Sequence, residues 1–305
     1  MDRAPANRGI WNSMKTLSPL LLLVILVFTG CGGAGNSRLV IGSKNFTEQT
    51  VLAELLAQHL ESKLAIEVER RVNLGGTLIC HEAVKSGQID LYVEYTGTAL
   101  TTVLNEQSSG DPVEVRRRVK EGYAKQFGLE VTEPLGFDNS FAIVMRGDDA
   151  RKLKVSTLSE AAGPAVQWTA GFGYEFMERP DGFPGLARTY GLKFAQPPLL
   201  MDLGLLYRAL EDKQVDVVAG SATDGVIAAR GFVVLEDDKH YFPPYEAVPI
   251  VNRAAFERHP ALREILSALG GKITAEEMRR LNYAVDGDHR DVKDVVQEFL
   301  VARKL

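Results

Sequence analysis

The chain has 305 residues, 45% of them apolar and 25% charged, with a formal net charge of −5 at pH 7. That length is generous for one hydrophobic core and suits two lobes of about 100 to 130 residues each. The mild acidity argues against a nucleic-acid partner, and a content of two cysteines argues against a disulfide framework.

Arg3, Arg8 and Lys15 precede an apolar run over 17–28 that is too short to span a bilayer comfortably and is laid out as a secretory signal. Phe28-Thr29-Gly30-Cys31 resembles a bacterial lipobox, in which the cysteine becomes the lipidated first residue of the mature chain. Residues 1–30 therefore read as a lipoprotein signal peptide and 31–37 as a Gly-rich flexible tether. The leader carries a net charge of +2, so its removal takes the formal charge from −5 to −7. With Cys31 lipidated, Cys80 is left alone on an amphipathic segment, where it reads as a small buried apolar residue.

Beyond the tether, a strand over 39–42 is turned by 43–48 into a helix with Thr47 at its N-cap and Glu48 in its first turn. Val51, Leu52, Leu55, Leu56 and Leu60 make its apolar stripe. Lys44 sits at the strand end beside the helix N-terminus, either as a solvated charge or as an anion contact. A second strand over 66–72 leads through Gly75-Gly76 into a helix over 77–86. Residues 88–100 read QIDLYVEYTGTAL, where Ile89, Leu91 and Val93 alternate with Asp90, Tyr92 and Glu94 before a small-residue turn at Thr96-Gly97-Thr98. That turn displays Tyr95 and Thr98 at a strand end. The same plan returns over 214–224 as QVDVVAGSATD, which implies two lobes of similar design. Ligands in open α/β sheets sit beyond the carboxyl ends of the strands, so the two turns would face each other across one cleft.

A helix over 112–127 carries Val115, Val119, Tyr123 and Phe127 on one face. Residues 141–145 read as a strand leaving the first lobe and 247–251 as a matching return, a two-strand hinge. Lobe one is then 38–146 with 247–305, and lobe two is 147–246. The second lobe is expected to hold a helix near 158–162, a strand over 166–169 and an aromatic, charged, Gly-containing loop over 170–182. A helix over 203–210 carrying Tyr207, the second Gln-Val-Asp strand and a strand over 232–235 complete it. The C-terminal third reads as helices returning to lobe one. His259-Pro260 opens one, Thr274 with Glu277 forms a capping box for the next, and 292–300 docks last.

Catalytic chemistry has no advocate here. His59, His81, His240, His259 and His289 are scattered without metal-ligand spacing, and neither a zincin motif nor a nucleophile elbow is present. The expected cleft loops instead offer rings at Tyr95, Phe141, Phe172, Tyr174 and Tyr207, and donors at Lys44, Thr98 and Arg179. Rings around a permanent cation attract it by about 0.5 to 2 kcal/mol each. Donors at the other end suit a carboxylate, so a zwitterion satisfies both ends, while ordinary core packing of the rings is the competing reading.

Gly42-Ser43-Lys44-Asn45-Phe46-Thr47-Glu48-Gln49, Leu74-Gly75-Gly76-Thr77, Glu94-Tyr95-Thr96-Gly97-Thr98-Ala99, Arg179-Pro180-Asp181-Gly182 and Thr223-Asp224-Gly225 together carry a family resemblance. The chain resembles, over nearly all of 38–300, the substrate-binding proteins of glycine betaine/choline/proline betaine ABC transporters. Residues 234–240 with Pro243-Pro244-Tyr245 resemble the osmoprotectant-binding branch typified by YehZ (OsmF). The resemblance implies an α/β, two-lobed periplasmic-binding-protein type II fold, no cofactor or metal, and an ABC permease with its ATPase as partner. It implies a cage tyrosine at Tyr95 and carboxylate contacts at Lys44, Thr98 and Arg179. Phe141 stands where relatives often have a tyrosine, and Ser221 stands where many place another, so Tyr174, Tyr207 and Tyr245 are the rings left to compensate. The expected protein is a lipid-anchored, extracytoplasmic binding component for a quaternary-ammonium solute. A binder of another zwitterion, such as an amino acid, and a surface enzyme on the same fold are the alternatives.

Overall fold

The computed structural model describes residues 38–107 and 109–305, so the signal segment, Cys31 and the tether lie outside the described residues. Among the described residues ten strands form two sheets: β1 (Leu39–Lys44), β2 (Val68–Gly75), β3 (Leu91–Tyr95), β4 (Leu129–Val131), β5 (Phe141–Arg146), β6 (Ala170–Phe172), β7 (Leu199–Leu200), β8 (Val217–Ser221), β9 (Phe232–Leu235) and β10 (Ala247–Asn252). The first sheet runs β2-β1-β3-β10-β4 and the second β7-β6-β8-β5-β9. In the first, β1 is parallel to β2 and β3, and β10 runs antiparallel between β3 and β4. In the second, β6 is parallel to β7 and β8, and β5 runs antiparallel between β8 and β9.

The Gln-x-Asp echo has a structural reason in this shared plan. The Asp90 amide donates to the carbonyl of Val40 at 2.7 Å, and its Oδ2 accepts from the Val40 amide at 2.8 Å. Asp216 repeats both bonds on Thr169, at 2.7 and 2.9 Å. Each aspartate thus locks a parallel neighbour just ahead of the strand that follows it, satisfying backbone groups that the short ladder leaves over.

Two chain segments cross between the sheets and pair with each other. Asp138 and Glu246 form an antiparallel bridge. The Asn139 amide donates to the carbonyl of Tyr245 at 3.0 Å, and the Ala247 amide donates to that of Phe137 at 3.1 Å. The strand expected to leave the first lobe, β5, is in fact hydrogen-bonded within the second sheet, because the chain crosses over before it.

Helix α1 (Thr47–Leu64) covers one face of the first sheet, and its expected stripe, Val51, Leu52, Leu55, Leu56 and Leu60, is wholly buried. The helices Ala275–Asp286 and Val292–Arg303 join the same core through Met278, Leu281, Val295, Val296 and Leu300. Helix α2 (Thr77–Lys85) covers the other face, where Cys80 lies buried beside Val84, Ile89 and Tyr123. Burial drives the Cys80 thiol up to about 12, which leaves it an inert apolar side chain.

Several local expectations are corrected. Thr47 is the first residue of α1, not its cap; Phe46 holds the cap position without a side-chain bond, and the Thr47 hydroxyl donates to Asp286 at 2.6 Å. The second strand begins and ends later than 66–72. The strand expected over 166–169 falls at β6, because Pro164 opens a 3-10 turn over Pro164–Gln167. The expected loop over 170–182 contains β6 and the short helix Tyr174–Glu178. Thr96-Gly97-Thr98 is the first turn of a helical run continued by a π-turn over Ala99–Val103. The Thr274–Glu277 capping box is present. Among the described residues no helix is long and apolar enough to cross a membrane.

Truncating the α1 stripe tests this core. Leu56→Ala is expected to cost about 2 to 5 kcal/mol of stability, read from the denaturant midpoint.

Candidate functional site

The carboxyl ends of β1, β3, β6 and β8 deliver the site. Lys44 closes β1 and is 3% exposed; its Nζ donates to Glu94 Oε1 at 2.5 Å and to Thr77 Oγ1 at 2.9 Å. The same Nζ lies 5.3 Å from the centre of the Tyr95 ring. Lys44 is thus not a solvated loop charge. It is half of a buried ion pair, and its hydroxyl partner Thr77 opens α2.

Tyr95 ends β3, and its hydroxyl donates to Glu48 Oε1 at 2.6 Å while accepting from Gln49 Nε2 at 3.1 Å. The helical turn after it carries Thr98, whose Oγ1 accepts from Arg179 Nη2 at 2.9 Å. A Cβ on Gly97 would come within 2.7 Å of the Pro244 carbonyl and of the Tyr245 ring, so this turn can approach the crossing segment only as glycine.

Arg179 follows the helix Tyr174–Glu178 and is 7% exposed. It donates to both oxygens of Asp181, from Nε at 2.9 Å and from Nη2 at 2.6 Å. The Tyr245 hydroxyl donates to the same carboxylate at 2.7 Å. Burial works against both charges, yet the hydrogen-bonded pair keeps the Asp181 carboxyl below the usual carboxylate range. The guanidinium sits 4.8 Å from the Phe141 ring centre and 5.9 Å from that of Tyr245, and the two rings meet edge to face at 5.8 Å. Lys44, Tyr95, Thr98, Phe141 and Arg179 are therefore gathered where the two sheets face each other, and Tyr245 joins them.

Of the remaining candidates, Ser221 borders this cluster, while Phe172, Tyr174 and Tyr207 make other contacts. Phe172 is a core residue of the second sheet, packed on Phe176, Phe183 and Phe194. Tyr174 is 56% exposed, because it starts a short helix whose buried face is set by Phe176. Tyr207 stacks on Phe232 and donates to Asp224 Oδ2 at 2.6 Å. Ser221 lies opposite Phe141 in the β5–β8 register, and its amide donates to the same Asp224 oxygen at 2.8 Å.

The sequence reading missed the acidic residues. Glu94 and Asp181 are the buried partners of Lys44 and Arg179, and Glu175 accepts from the Thr77 amide across the sheets at 2.5 Å. A Cβ on Gly76 would collide with that carboxylate, so the glycine before α2 admits it. Glu48, read as a helix-start charge, is 2% exposed and accepts from Tyr95, Asn139, Thr223 and Asn282. Burial raises its carboxyl even against these four donors. The signal available was the place of each acid inside a recognised motif, Glu48 in Thr47-Glu48-Gln49 and Asp181 in Arg179-Pro180-Asp181-Gly182.

Two α/β lobes joined by paired crossings, with a polar and aromatic cluster between them, define an extracytoplasmic-type solute-binding architecture. Residues 37–302 match the family described as the substrate binding domain of ABC-type glycine betaine transport systems. The chain belongs to that family of substrate-binding proteins. It is 34% identical over 290 residues to the carnitine transport binding protein OpuCC of Listeria monocytogenes, covering 94% of each chain. It is 33% identical over 297 residues to a glycine-betaine-binding protein of Pseudomonas aeruginosa, again covering 94% of each. The crystal structure of a glycine betaine/carnitine/choline ABC transporter protein matches with a TM-score of 0.73 at 32% identity, over 87% of this chain and 98% of that one.

Asp224 offers a test of the site's electrostatics. Burial, with Glu48 and Asp286 nearby, lifts its carboxyl from 3.8 to about 7 against the bonds from Tyr207 and Ser221. Between those values the folded chain holds a proton that the unfolded chain has lost, so the group's contribution to stability falls as pH rises from about 4 to about 7. Asp224→Asn is expected to remove that slope, measured as the difference between the two proteins' stability–pH profiles.

Proposed function

We propose that the chain captures a quaternary-ammonium compatible solute, such as glycine betaine, choline or carnitine, between its lobes and delivers it to an ABC permease with its ATPase. The observation that carries this reading is the convergence of Tyr95, Phe141 and Tyr245 with Lys44, Thr98 and Arg179 from both sheets. The relatives named for carnitine and glycine betaine support the ligand class. In this reading the rings take the trimethylammonium face, while Lys44, Thr98 and Arg179 address the ligand's polar end. Ser221 supplies no ring, so affinity is set by fewer aromatic faces than a full tyrosine cage offers. Tyr174 and Tyr207 are left outside the contact set.

The lobes divide at the paired crossings: 38–131 with 247–305 on one side, and β5 with 147–235 on the other. Ligand contacts from both lobes favour the closed arrangement, which is the form presented to the permease. No catalytic step is assigned to the chain. Residues 1–30 serve as the signal peptide and Cys31 as the lipid anchor, placing the domain on the extracytoplasmic face of a membrane.

Calorimetric titration with glycine betaine and choline is expected to show saturable binding, weakened in Tyr95→Ala by about tenfold or more, in line with losing up to about 2 kcal/mol from one ring. Equal affinity in the variant, or preference for primary-ammonium amino acids, would overturn the ligand assignment. Cys31→Ser is expected to shift the protein from the membrane fraction to the soluble one, read by detergent phase partitioning.

A further inference from the structure

Glu48 has a place that the ligand-binding reading does not use. Its Oε1 accepts from the Tyr95 hydroxyl at 2.6 Å and from Asn139 Nδ2 at 2.8 Å. Its Oε2 accepts from the Thr223 hydroxyl and from Asn282 Nδ2, the latter at 2.9 Å. One oxygen therefore serves a ring of the first sheet and a crossing segment; the other serves the loop after β8 and the helix Ala275–Asp286. All four donors are neutral and come from four separate parts of the chain.

The surroundings are built for an acceptor of that capacity. Asn139 and Asn282 both turn their amide nitrogens to the carboxylate and leave their own buried Oδ1 atoms without a partner. Gln49 spends its nitrogen on the Tyr95 hydroxyl and leaves Oε1 unpaired in the same way. A buried amide gives up an acceptor only where the bond made by its donor is worth more, and a carboxyl group with two bonds on each oxygen satisfies four such donors at once. The Tyr95 hydroxyl, giving to Glu48 and taking from Gln49, is fixed in both directions, which fixes the plane of its ring. Thr223 reaches the same carboxylate from the opposite sheet, and Asn282 also donates to the Thr223 carbonyl at 3.1 Å. Behind that loop, a Cβ on Gly225 would lie 2.4 Å from the Arg279 carbonyl, so the loop is pressed against the helix backbone.

We infer that Glu48 is a positioning residue that couples ring orientation to lobe closure. The carboxylate that aims Tyr95 at the ligand is the one that receives Thr223 when the second lobe arrives. The inference rests on the cleft reading above and adds to it a residue that touches no ligand. It predicts that loosening Thr223 is felt at Tyr95, with which it shares Glu48.

Two variants of the full chain test it. Glu48→Gln keeps the volume but offers one oxygen and two hydrogens where four donors converge. Thr223→Val removes only the hydroxyl that reaches Oε2. Amide exchange read by mass spectrometry, in ligand-free protein and with tetramethylammonium bound, is expected to quicken in 94–98 as well as 220–225 for both variants, most where the lobes are closed. Affinity for tetramethylammonium, which has no carboxylate, is expected to fall by about tenfold in Glu48→Gln and by a smaller factor in Thr223→Val, with the double variant no worse than Glu48→Gln alone. Exchange at 94–98 unchanged in Thr223→Val, with both proteins melting cooperatively, would overturn the coupling, as would additive losses in the double variant. A parent chain that binds neither tetramethylammonium nor glycine betaine would instead sink the ligand assignment, and the exchange comparison would still decide the role of Glu48.

Discussion

The Arg179–Asp181 pair is the constraint on which the meeting of the two sheets depends. Two buried charges lose their hydration, and such a pair holds only if geometry and further hydrogen bonds restore it. Here the fork of the guanidinium meets both carboxylate oxygens, the Tyr245 hydroxyl donates to the carboxylate, and Thr98 Oγ1 accepts a hydrogen bond from the guanidinium. Thr98 belongs to the turn after β3, Tyr245 to the returning crossing and Arg179 to the segment after β6. Removing one member would leave an uncompensated charge in a buried place, so the pair ties three remote segments into one arrangement.

Lys44 repeats the logic at the other end of the site. Its partner Glu94 is wholly buried, and Thr77 accepts from a second of the ammonium's three donors. Both cations, which in the proposed function address the ligand's polar end, are thus already oriented by resident acids. Preorganised donors of this kind lose little freedom on binding, which leaves more of the interaction for affinity.

What the sequence made legible follows from range. The α1 stripe, the Thr274–Glu277 box and the alternation of β3 are local patterns, and each appears where its periodicity or capping chemistry places it. The paired Gln-x-Asp motifs announced two sheets of one plan because the same aspartate performs the same backbone task in both. Errors came where one residue overrode a pattern, as Pro164 did for the strand expected at 166–169. The surroundings of the rings at 172, 174 and 207 were not legible, because composition cannot tell a ring that lines a cleft from one that packs a core or faces water. Least legible was the polar cluster on Glu48, whose partners Asn139, Thr223 and Asn282 are remote in sequence and share no spacing rule.

The antiparallel strand in each sheet has a consequence for the order of assembly. The second sheet draws all its strands from β5 to β9, an unbroken length of chain. The first cannot join β3 to β4 until β10 arrives, with Ala247 opposite Tyr95 and Ile250 opposite Val131. A chain delivered N-terminus first therefore presents β1 to β3 and α1 with an open edge while the later lobe has all it needs to fold. The part made first is finished last, and the strand that closes its sheet is the continuation of the returning crossing between the two lobes.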